Sequence, residues 1–204
     1  MFVQVVQGRV GDEQELRRQW RRWLDVLSGD QGWLGSTGGI GRGGELVAAV
    51  RFDSEAAGRR VAGQLEQSGW REQVSRCVED LSVHDCPRVH LVLDGGSDQA
   101  GFVQVMQGRV SDAERLVAIE AEGAELLRQV RPDLIGGLRA WPDATRLTAV
   151  DYFTSEAEAR EGESRPMPAD VQAMFEEWLS LFSDLRFIDV PEPWMASPGL
   201  TPSS

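Results

Sequence analysis

Residues 2–10 read FVQVVQGRV, and residues 102–110 read FVQVMQGRV. Eight of these nine positions are identical, which is the signature of an internal repeat. The likeness extends to the end of each half, where an L-x-x-x-D-x-P frame begins at Leu81 and again at Leu185. The chain of 204 residues therefore contains two copies of one unit of about 100 residues.

Each copy has the same predicted order of elements. The repeated strand is followed by an amphipathic helix, a β-hairpin, a second helix and a last strand. The hairpin strands are predicted at 33–40 and 45–53 in the first copy, and at 134–141 and 145–153 in the second. The order β-α-β-β-α-β is that of a ferredoxin-like unit. The predicted fold class is therefore α+β, with two ferredoxin-like units.

The predicted division of the chain has four parts. Residues 1–93 are the first unit, 94–101 a Gly-rich linker, 102–190 the second unit and 191–204 a flexible tail. A ferredoxin-like unit has helices on only one face of its sheet, so the other face needs a cover. We therefore expect the two sheets to pack face to face around a pseudo-two-fold axis, as an α+β barrel. The protein would be a monomer with an internal pseudo-dimer, and a further homodimer is left open.

Composition excludes several classes of partner. The formal charge is −12 and the pI is about 4.6, whereas nucleic acids and anionic membranes attract basic surfaces. We find neither the pattern of a signal peptide nor an apolar run long enough to span a bilayer. Two cysteines are too few for a disulfide framework, so a cytoplasmic protein is predicted. All 21 basic residues are Arg, which is typical of a GC-rich genome, as in actinobacteria.

The element order, the unit length and the first strand together resemble the dimeric α+β barrel superfamily in tandem form. Its best-known branch is the antibiotic-biosynthesis-monooxygenase-like group. The resemblance implies a monooxygenase-like enzyme without cofactor or metal, acting on a hydrophobic or aromatic small molecule held between helices and sheet. The superfamily also includes proteins with no known activity. The alternative is therefore a non-catalytic ligand-binding or stress-related protein on the same scaffold.

The resemblance also implies some of the site residues. The monooxygenase pattern has a Trp on the second helix, and Trp70 and Trp178 occupy that region. They would stack on the substrate. The same pattern has an Asn, which this chain lacks altogether. Haem-degrading members have a His on the second helix, whereas the two histidines here, His84 and His90, lie at and just after the last strand. Haem degradation is therefore disfavoured.

Four further residues are candidates on their own chemistry. Gln4 and Gln104 occupy the same position of the repeated strands, where a buried amide needs a partner, either a ligand or the protein itself. His84 is predicted as the catalytic acid–base residue, because its ordinary pKa suits neutral pH; a structural His is the alternative. Tyr152 is predicted to line an aromatic substrate cavity, and the alternative is a core position.

Three other sequence patterns give weaker indications of a functional site. His84, Cys86 and His90 lack the spacing of a metal site, so no metal is predicted. Residues 39–44 satisfy G-x-G-x-x-G but lead into a strand, which favours a hairpin turn over a nucleotide site. Aligning the two halves makes Arg51 and Asp151 equivalent. Their opposite charges would form an ion pair across the pseudo-two-fold axis, and the alternative is that both are exposed to solvent.

Overall fold

The two repeated strands become interior strands of two antiparallel sheets in the computed structural model, which describes residues 1–199. The first unit comprises Met1–Pro87 and residues 193–199; the second comprises Arg88–Glu192. The elements of the first unit are β1 (Phe2–Val10), α1 (Glu13–Ser28), β2 (Trp33–Ile40), β3 (Glu45–Phe52), α2 (Glu55–Gln67), α3 (Trp70–Val74), β4 (Val78–Cys86) and β10 (Trp194–Ala196). Those of the second are β5 (Arg88–Val92), β6 (Phe102–Val110), α4 (Ala113–Val130), β7 (Leu134–Trp141), β8 (Arg146–Phe153), α5 (Glu156–Ser164), α6 (Ala169–Ser180) and β9 (Phe182–Val190).

The strand order confirms the predicted ferredoxin-like units. The sheets run β10-β2-β3-β1-β4 and β5-β7-β8-β6-β9. Four strands of each sheet come from the βαββαβ repeat, and a fifth is added beside the first strand of the hairpin, at β2 or β7. The protein is therefore of mixed α+β class with two five-stranded sheets within residues 1–199.

The unit boundaries differ from the expected ones at two places. Residues Arg88–Val92 pair with β7 and so belong to the second unit, whereas the first unit was expected to run to 93. Residues Trp194–Ala196 pair with β2, although 191–204 were expected to be a flexible tail. Both segments pair with an edge strand whose backbone N–H and C=O groups would otherwise be unpaired. The strand propensity of the segments' own residues does not reveal this pairing. The last part of the expected tail, 200–204, lies outside the described residues.

Helix starts are fixed by side-chain caps at matching places in the repeat. Asp12 and Asp112 each accept a hydrogen bond from the backbone amide three residues later. Ser54 and Ser155 do the same for α2 and α5. Such caps satisfy amides that have no partner inside the helix, and they account for the matching helix starts of both copies. The second helix of the second copy is interrupted at residues 165–168, because α5 ends at Ser164 and α6 begins at Ala169.

The two copies are offset by 101 residues in their hairpins rather than 100. Gln4 pairs with Val50 and Gln104 with Asp151, so Asp151 is the counterpart of Val50. The expected equivalence of Arg51 and Asp151 is therefore wrong. The extra residue lies between the start of α4 and the start of β7, because α4 has 18 residues where α1 has 16, and the connection that follows it is one residue shorter. This insertion moves both hairpin strands by one position.

The layer between helices and sheet is filled differently in the two units. The first unit buries Trp20, Trp23, Trp33 and Trp70 in one hydrophobic core. Pairs of these rings lie close, with centroids 5.2 Å apart for Trp20 and Trp23. In the second unit the buried apolar clusters are smaller, and no residue of α6 is buried. No helix in the described residues is long and apolar enough to cross a membrane.

Gly38 leaves the room that Trp20 occupies above β2. A Cβ atom added there would lie 2.6 Å from Cη2 of Trp20, which is far inside van der Waals contact. We expect Gly38→Ala to lower the free energy of unfolding by about 1–3 kcal/mol, the usual cost of overpacking a core. Urea unfolding followed by tryptophan fluorescence measures this loss.

The matched control is Gly63→Ala in α2, where an added Cβ would meet no atom within 4 Å. This replacement should raise the free energy of unfolding by up to about 1 kcal/mol, because Ala is the better helix former. Equal stability of Gly38→Ala and the unaltered protein would contradict the packing of Trp20 on Gly38.

Candidate functional site

The three predicted residues of the first unit do not meet at one place. Gln4 is buried and donates from Nε2 to Asp85 Oδ1 at 2.8 Å. His84 is the preceding residue of β4, so it lies on the opposite face of the sheet from Asp85 and Gln4. Trp70 belongs to the hydrophobic core, with its ring centroid 5.0 Å from that of Trp23. The roles assigned to these three residues stay predictions.

Two of the three predicted residues in the second unit share one layer. Gln104 donates from Nε2 to Asp189 Oδ1 at 2.9 Å, on the sheet face that α4 to α6 cover. Trp178 of α6 reaches into the same layer and donates from Nε1 to Glu120 Oε1 at 3.2 Å. Tyr152 is fully buried, but strand alternation places it on the opposite face of the sheet. Its role, too, stays a prediction.

A buried arginine holds two carboxylates together in this layer. Arg139 of β7 is 4% exposed. It donates from Nε to Glu120 Oε1 and from Nη1 to Asp151 Oδ1, both at 2.7 Å. Burial alone would lower the pKa of Arg139, but the charges of Asp151 and Glu120 outweigh burial and hold the pKa above its ordinary value. The guanidinium is therefore a permanent charge at the centre of the layer.

The polar groups continue from this arginine toward the far edge of the sheet. Asp151 pairs in register with Gln104, which in turn pairs with Asp189. Arg160 of α5 reaches over the ring of Phe102, 5.3 Å from its centroid, and forms an ion pair with the same Asp189. A band of alternating donors and acceptors thus crosses the layer from α6 to β9.

The first unit has apolar residues at the corresponding places. Gly38 and Val50 are the counterparts of Arg139 and Asp151. Trp20 holds the place of Glu120 on the first helix of its unit. The fifth strand follows the same pattern, because Trp194 pairs with Gly38 as His90 pairs with Arg139. One unit is therefore closed by tryptophans where the other carries charge.

Glu120 and His90 complete the cluster. The side chain of Glu120 is 6% exposed, and its Oε2 atom is buried without a hydrogen-bond partner among residues 1–199. The Nε2 atom of His90 lies 3.8 Å from it. Burial lowers the pKa of His90 below its ordinary value, and the charges of Arg139 and Arg88 act in the same direction, against the opposing charge of Glu120.

Sequence reasoning did not identify this cluster, although two signals were present. Glu120 stands four residues after Leu116 on the buried face of α4, where an apolar residue is expected. Arg139 stands in β7, whose last six residues are all buried. Buried charges require a partner, so opposite charges at two core positions of neighbouring elements indicate a buried pair.

Helix α6 covers the cluster loosely. Met174 approaches α4 at Gly123, and Trp178 bonds to Glu120, yet all twelve residues of α6, each of them described, remain at least partly exposed. Phe175 and Leu179 are 43% and 39% exposed, and Phe187 of β9 is 55% exposed. Of these, Phe175 stacks on Trp178, so an apolar side chain open to solvent lies next to the residue that bonds to Glu120.

Two other features of the chain do not join this site. A surface cavity of about 610 Å³ lies in the first unit between α1 and α3, and none of the predicted site residues lines it. Residues 39–44 end β2 and form the turn to β3, as expected for a hairpin. Within residues 1–199, no group of three or more His, Cys, Asp or Glu side chains could hold a metal ion.

The fold is shared with solved structures over the whole chain. A candidate monooxygenase of Lactobacillus acidophilus NCFM is 11% identical, with a TM-score of 0.71 over 100% of this chain and 99% of its own. An anthrone oxidase-like protein is 10% identical, with a TM-score of 0.72 over 98% and 94%. A candidate monooxygenase of Fusobacterium nucleatum is 9% identical, with a TM-score of 0.65 over 100% and 97%.

No protein-family model matches the chain, and no curated protein matches it significantly. At identities near 10%, the structural likeness establishes the fold and leaves the activity open. The expected resemblance to the ferredoxin-fold, monooxygenase-like proteins is confirmed at this level, and it covers both copies of the repeat.

Replacing Arg139 tests whether it holds the two carboxylates together. We expect Arg139→Met to lower the free energy of unfolding by about 3–5 kcal/mol, because both carboxylates would stay buried without a counter-charge. The triple variant Arg139→Met, Glu120→Gln, Asp151→Asn removes all three charges and should recover part of this loss. Urea unfolding measures each value.

The control for this loss is Arg146→Met, which breaks an exposed ion pair with Asp143. Exposed pairs contribute about 0–1 kcal/mol, so this change should be small. A loss for Arg139→Met no larger than that of the control would contradict a central role for the buried arginine.

The lowered pKa of His90 has a consequence for stability. In the folded protein this pKa lies below the ordinary value of 6.5, so the unfolded chain binds more protons between the two values. The stability gained by keeping His90 neutral is fully present above pH 6.5 and is lost as the pH falls through this window. We expect the melting temperature of the unaltered protein to fall more between about pH 7.5 and 5 than that of His90→Gln. Parallel curves would contradict a shifted His90.

Proposed function

We propose that the protein is a small-molecule enzyme of the cofactor-independent, monooxygenase-like type, acting on a hydrophobic or aromatic compound. The substrate would bind in the helix–sheet layer of the second unit. The observation that carries this proposal is the buried cluster of Arg139, Glu120 and Asp151, which the first unit replaces with apolar residues. Charges buried at such cost are common where chemistry takes place.

The likeness to a candidate monooxygenase and to an anthrone oxidase-like protein supports the same class of reaction. Oxidation without a cofactor requires the substrate to supply the electrons that reduce dioxygen. An aromatic substrate does so once a base has removed a proton from it, since its anion is electron-rich. Fixed charges in an enclosed position, such as those of Arg139 and Glu120, favour such a proton transfer.

Two of the predicted residues fit this location directly. Trp178 is partly exposed, contacts the cluster through Glu120 and stacks on the exposed ring of Phe175, so the two rings together present an aromatic surface to a substrate. Gln104 lies at the other end of the same band and would hydrogen-bond a polar substituent of the substrate. In the first unit Gln4, Trp70 and His84 lie apart from one another and would act separately. Tyr152 would act from the opposite sheet face of the second unit.

The alternative function is a non-catalytic ligand-binding or stress-related protein. The first unit favours it, because its helix–sheet layer is filled by Trp20, Trp23 and Trp70 and contains no cluster like that of Arg139 within the described residues. A duplicated chain of this kind could bind a ligand in one unit and use the other as a scaffold. Turnover separates the two functions.

A ligand screen followed by oxygen uptake tests the proposal. The full chain is screened by thermal shift against planar phenols, quinones, polycyclic aromatics and fatty acids. A ligand present at a hundred times its dissociation constant adds about 2.7 kcal/mol of stability, which corresponds to a rise of about 5–10 °C. We expect a planar phenol or polycyclic aromatic to give such a rise and to consume dioxygen.

The variants locate the activity. Glu120→Gln should reduce oxygen uptake at least tenfold, whereas Glu122→Gln, an exposed residue of the same helix, should leave it unchanged. If His84→Ala abolishes uptake and Glu120→Gln does not, the reaction belongs to the first unit instead. Binding without any oxygen uptake would support the non-catalytic function.

A further inference from the structure

We infer that His90 and Glu120 act as an acid–base pair that removes the proton from the hydroxyl group of a phenol or an enol. This inference rests on the proposed function and assigns its proton acceptor to β5 and α4 of the second unit. Neither residue was among those predicted from the sequence, and the first unit has Trp194 and Trp20 at their places.

The hydrogen bonds of Glu120 leave one of its oxygens available. Oε1 accepts from Arg139 at 2.7 Å and from Trp178 at 3.2 Å. Oε2 accepts nothing from the described part of the chain, although a buried carboxylate oxygen without a donor is costly. The Nε2 atom of His90 lies 3.8 Å from this Oε2 atom and can supply the missing donor. A shift of less than 1 Å would turn this contact into a hydrogen bond.

The sum of the charges in the cluster also favours a protonated His90 beside Glu120. Arg139 contributes one positive charge, and Glu120 and Asp151 contribute two negative charges. The trio therefore has a net charge of −1, and the side chains of Arg139 and Glu120 are almost wholly enclosed. A proton on His90 would balance this charge and provide the missing donor to Glu120. The groups that oppose it are Arg88 on the same strand and Arg139 on the neighbouring one.

These opposing effects suit a base that is neutral at rest. Burial, Arg139 and Arg88 keep the imidazole unprotonated near pH 7, which leaves a ring nitrogen free to accept a proton. Once the proton arrives, the adjacent Glu120 stabilises the imidazolium ion. A carboxylate that orients a histidine and then stabilises its charged form is a recurrent arrangement in acid–base catalysis.

The proton step itself is simple and complete. The O–H bond of the substrate breaks, an N–H bond forms on His90, and the electron pair of the broken bond stays on the substrate oxygen. A phenol loses its proton near pH 10, as the Tyr side chain does, which is within reach of an imidazole. Aliphatic alcohols are much weaker acids, so the pair selects hydroxyl groups on aromatic or enolic carbons.

Access to the pair is provided by the histidine. The side chain of His90 is 26% exposed on β5, at the edge of the sheet, whereas Glu120 is almost fully enclosed. A substrate hydroxyl can therefore reach the imidazole without displacing the buried charges. Trp178, which bonds to the same Glu120, stacks on the exposed ring of Phe175, and these two rings offer an apolar surface for an aromatic framework.

A phenol whose ionisation is visible tests the pair. The full chain is titrated with 4-nitrophenol at about pH 6, where little of the free probe is ionised. Equilibrium dialysis measures binding, and absorbance of the yellow phenolate measures ionisation. We expect the ratio of phenolate to phenol to be about tenfold higher when bound to the unaltered protein than in solution, a shift of about one pKa unit.

The variants separate the roles of the two residues. His90→Gln and Glu120→Gln should still bind the probe in dialysis, but with the ionisation ratio of the free probe. Glu122→Gln is the matched control on α4 and should behave as the unaltered protein does. Circular dichroism and the melting temperature confirm that each variant is folded.

Nitrogen NMR of the imidazole rings gives a second readout. The chain has two histidines, so the signals absent from His90→Gln belong to His90. We expect these signals to change from neutral to protonated when 4-nitrophenol is added, and to stay neutral in Glu120→Gln.

The outcomes distinguish this inference from the proposed function. Binding of the probe with unchanged ionisation in the unaltered protein overturns the acid–base pair alone. Equal ionisation in His90→Gln and the unaltered protein also overturns it, and equal ionisation in Glu120→Gln removes Glu120 from the pair. Failure of the unaltered protein to bind any phenol overturns both the pair and the proposed substrate class.

Discussion

Each sheet depends on the repeated strand at its interior, because β1 and β6 hold hydrogen-bonded neighbours on both sides. Such a strand must satisfy its backbone in two ladders and present residues to both faces of the sheet. Phe2 pairs in register with Phe52 on the neighbouring strand, and Phe102 pairs with Phe153 in the same way, so the aromatic pair recurs at the start of both units. The helices and hairpins take their positions from this strand, and it is also where the two copies are most alike.

The constraint on the second unit is electrostatic. One guanidinium is shared by two carboxylates in a layer with little water, and removal of either kind of charge would leave the other unbalanced. Replacing buried charges with well-packed apolar residues is often neutral or stabilising, and tryptophans fill the corresponding layer of the first unit. Stability alone therefore gives no reason for charge at this position. A requirement for charge within the layer, such as binding or proton transfer, accounts for it better.

The fold could be predicted because its evidence is local and occurs twice. A repeated strand of nine residues, the amphipathic helices and the hairpin pattern of each half were enough to give the element order. Two short strands, β5 and β10, were not predicted, because each forms by pairing with the edge strand of a sheet rather than through a pattern in its own residues. The charged cluster was not predicted for a related reason, because its members lie on separate elements. In addition, a one-residue insertion made Asp151 align with Arg51 instead of Val50, its counterpart in the first copy.

Duplication explains how one chain can have both kinds of layer. In a symmetric homodimer every substitution appears in both units, so replacing Trp20 with a glutamate would remove the tryptophan core from both at once. A fused pair is free of this constraint. The first unit can keep a tryptophan core, while the second loses buried apolar area to Arg139 and Glu120 and leaves the aromatic residues of α6 partly open. The unit that is less well packed is thus the one with the chemically versatile groups, as expected where function is maintained at some cost in stability.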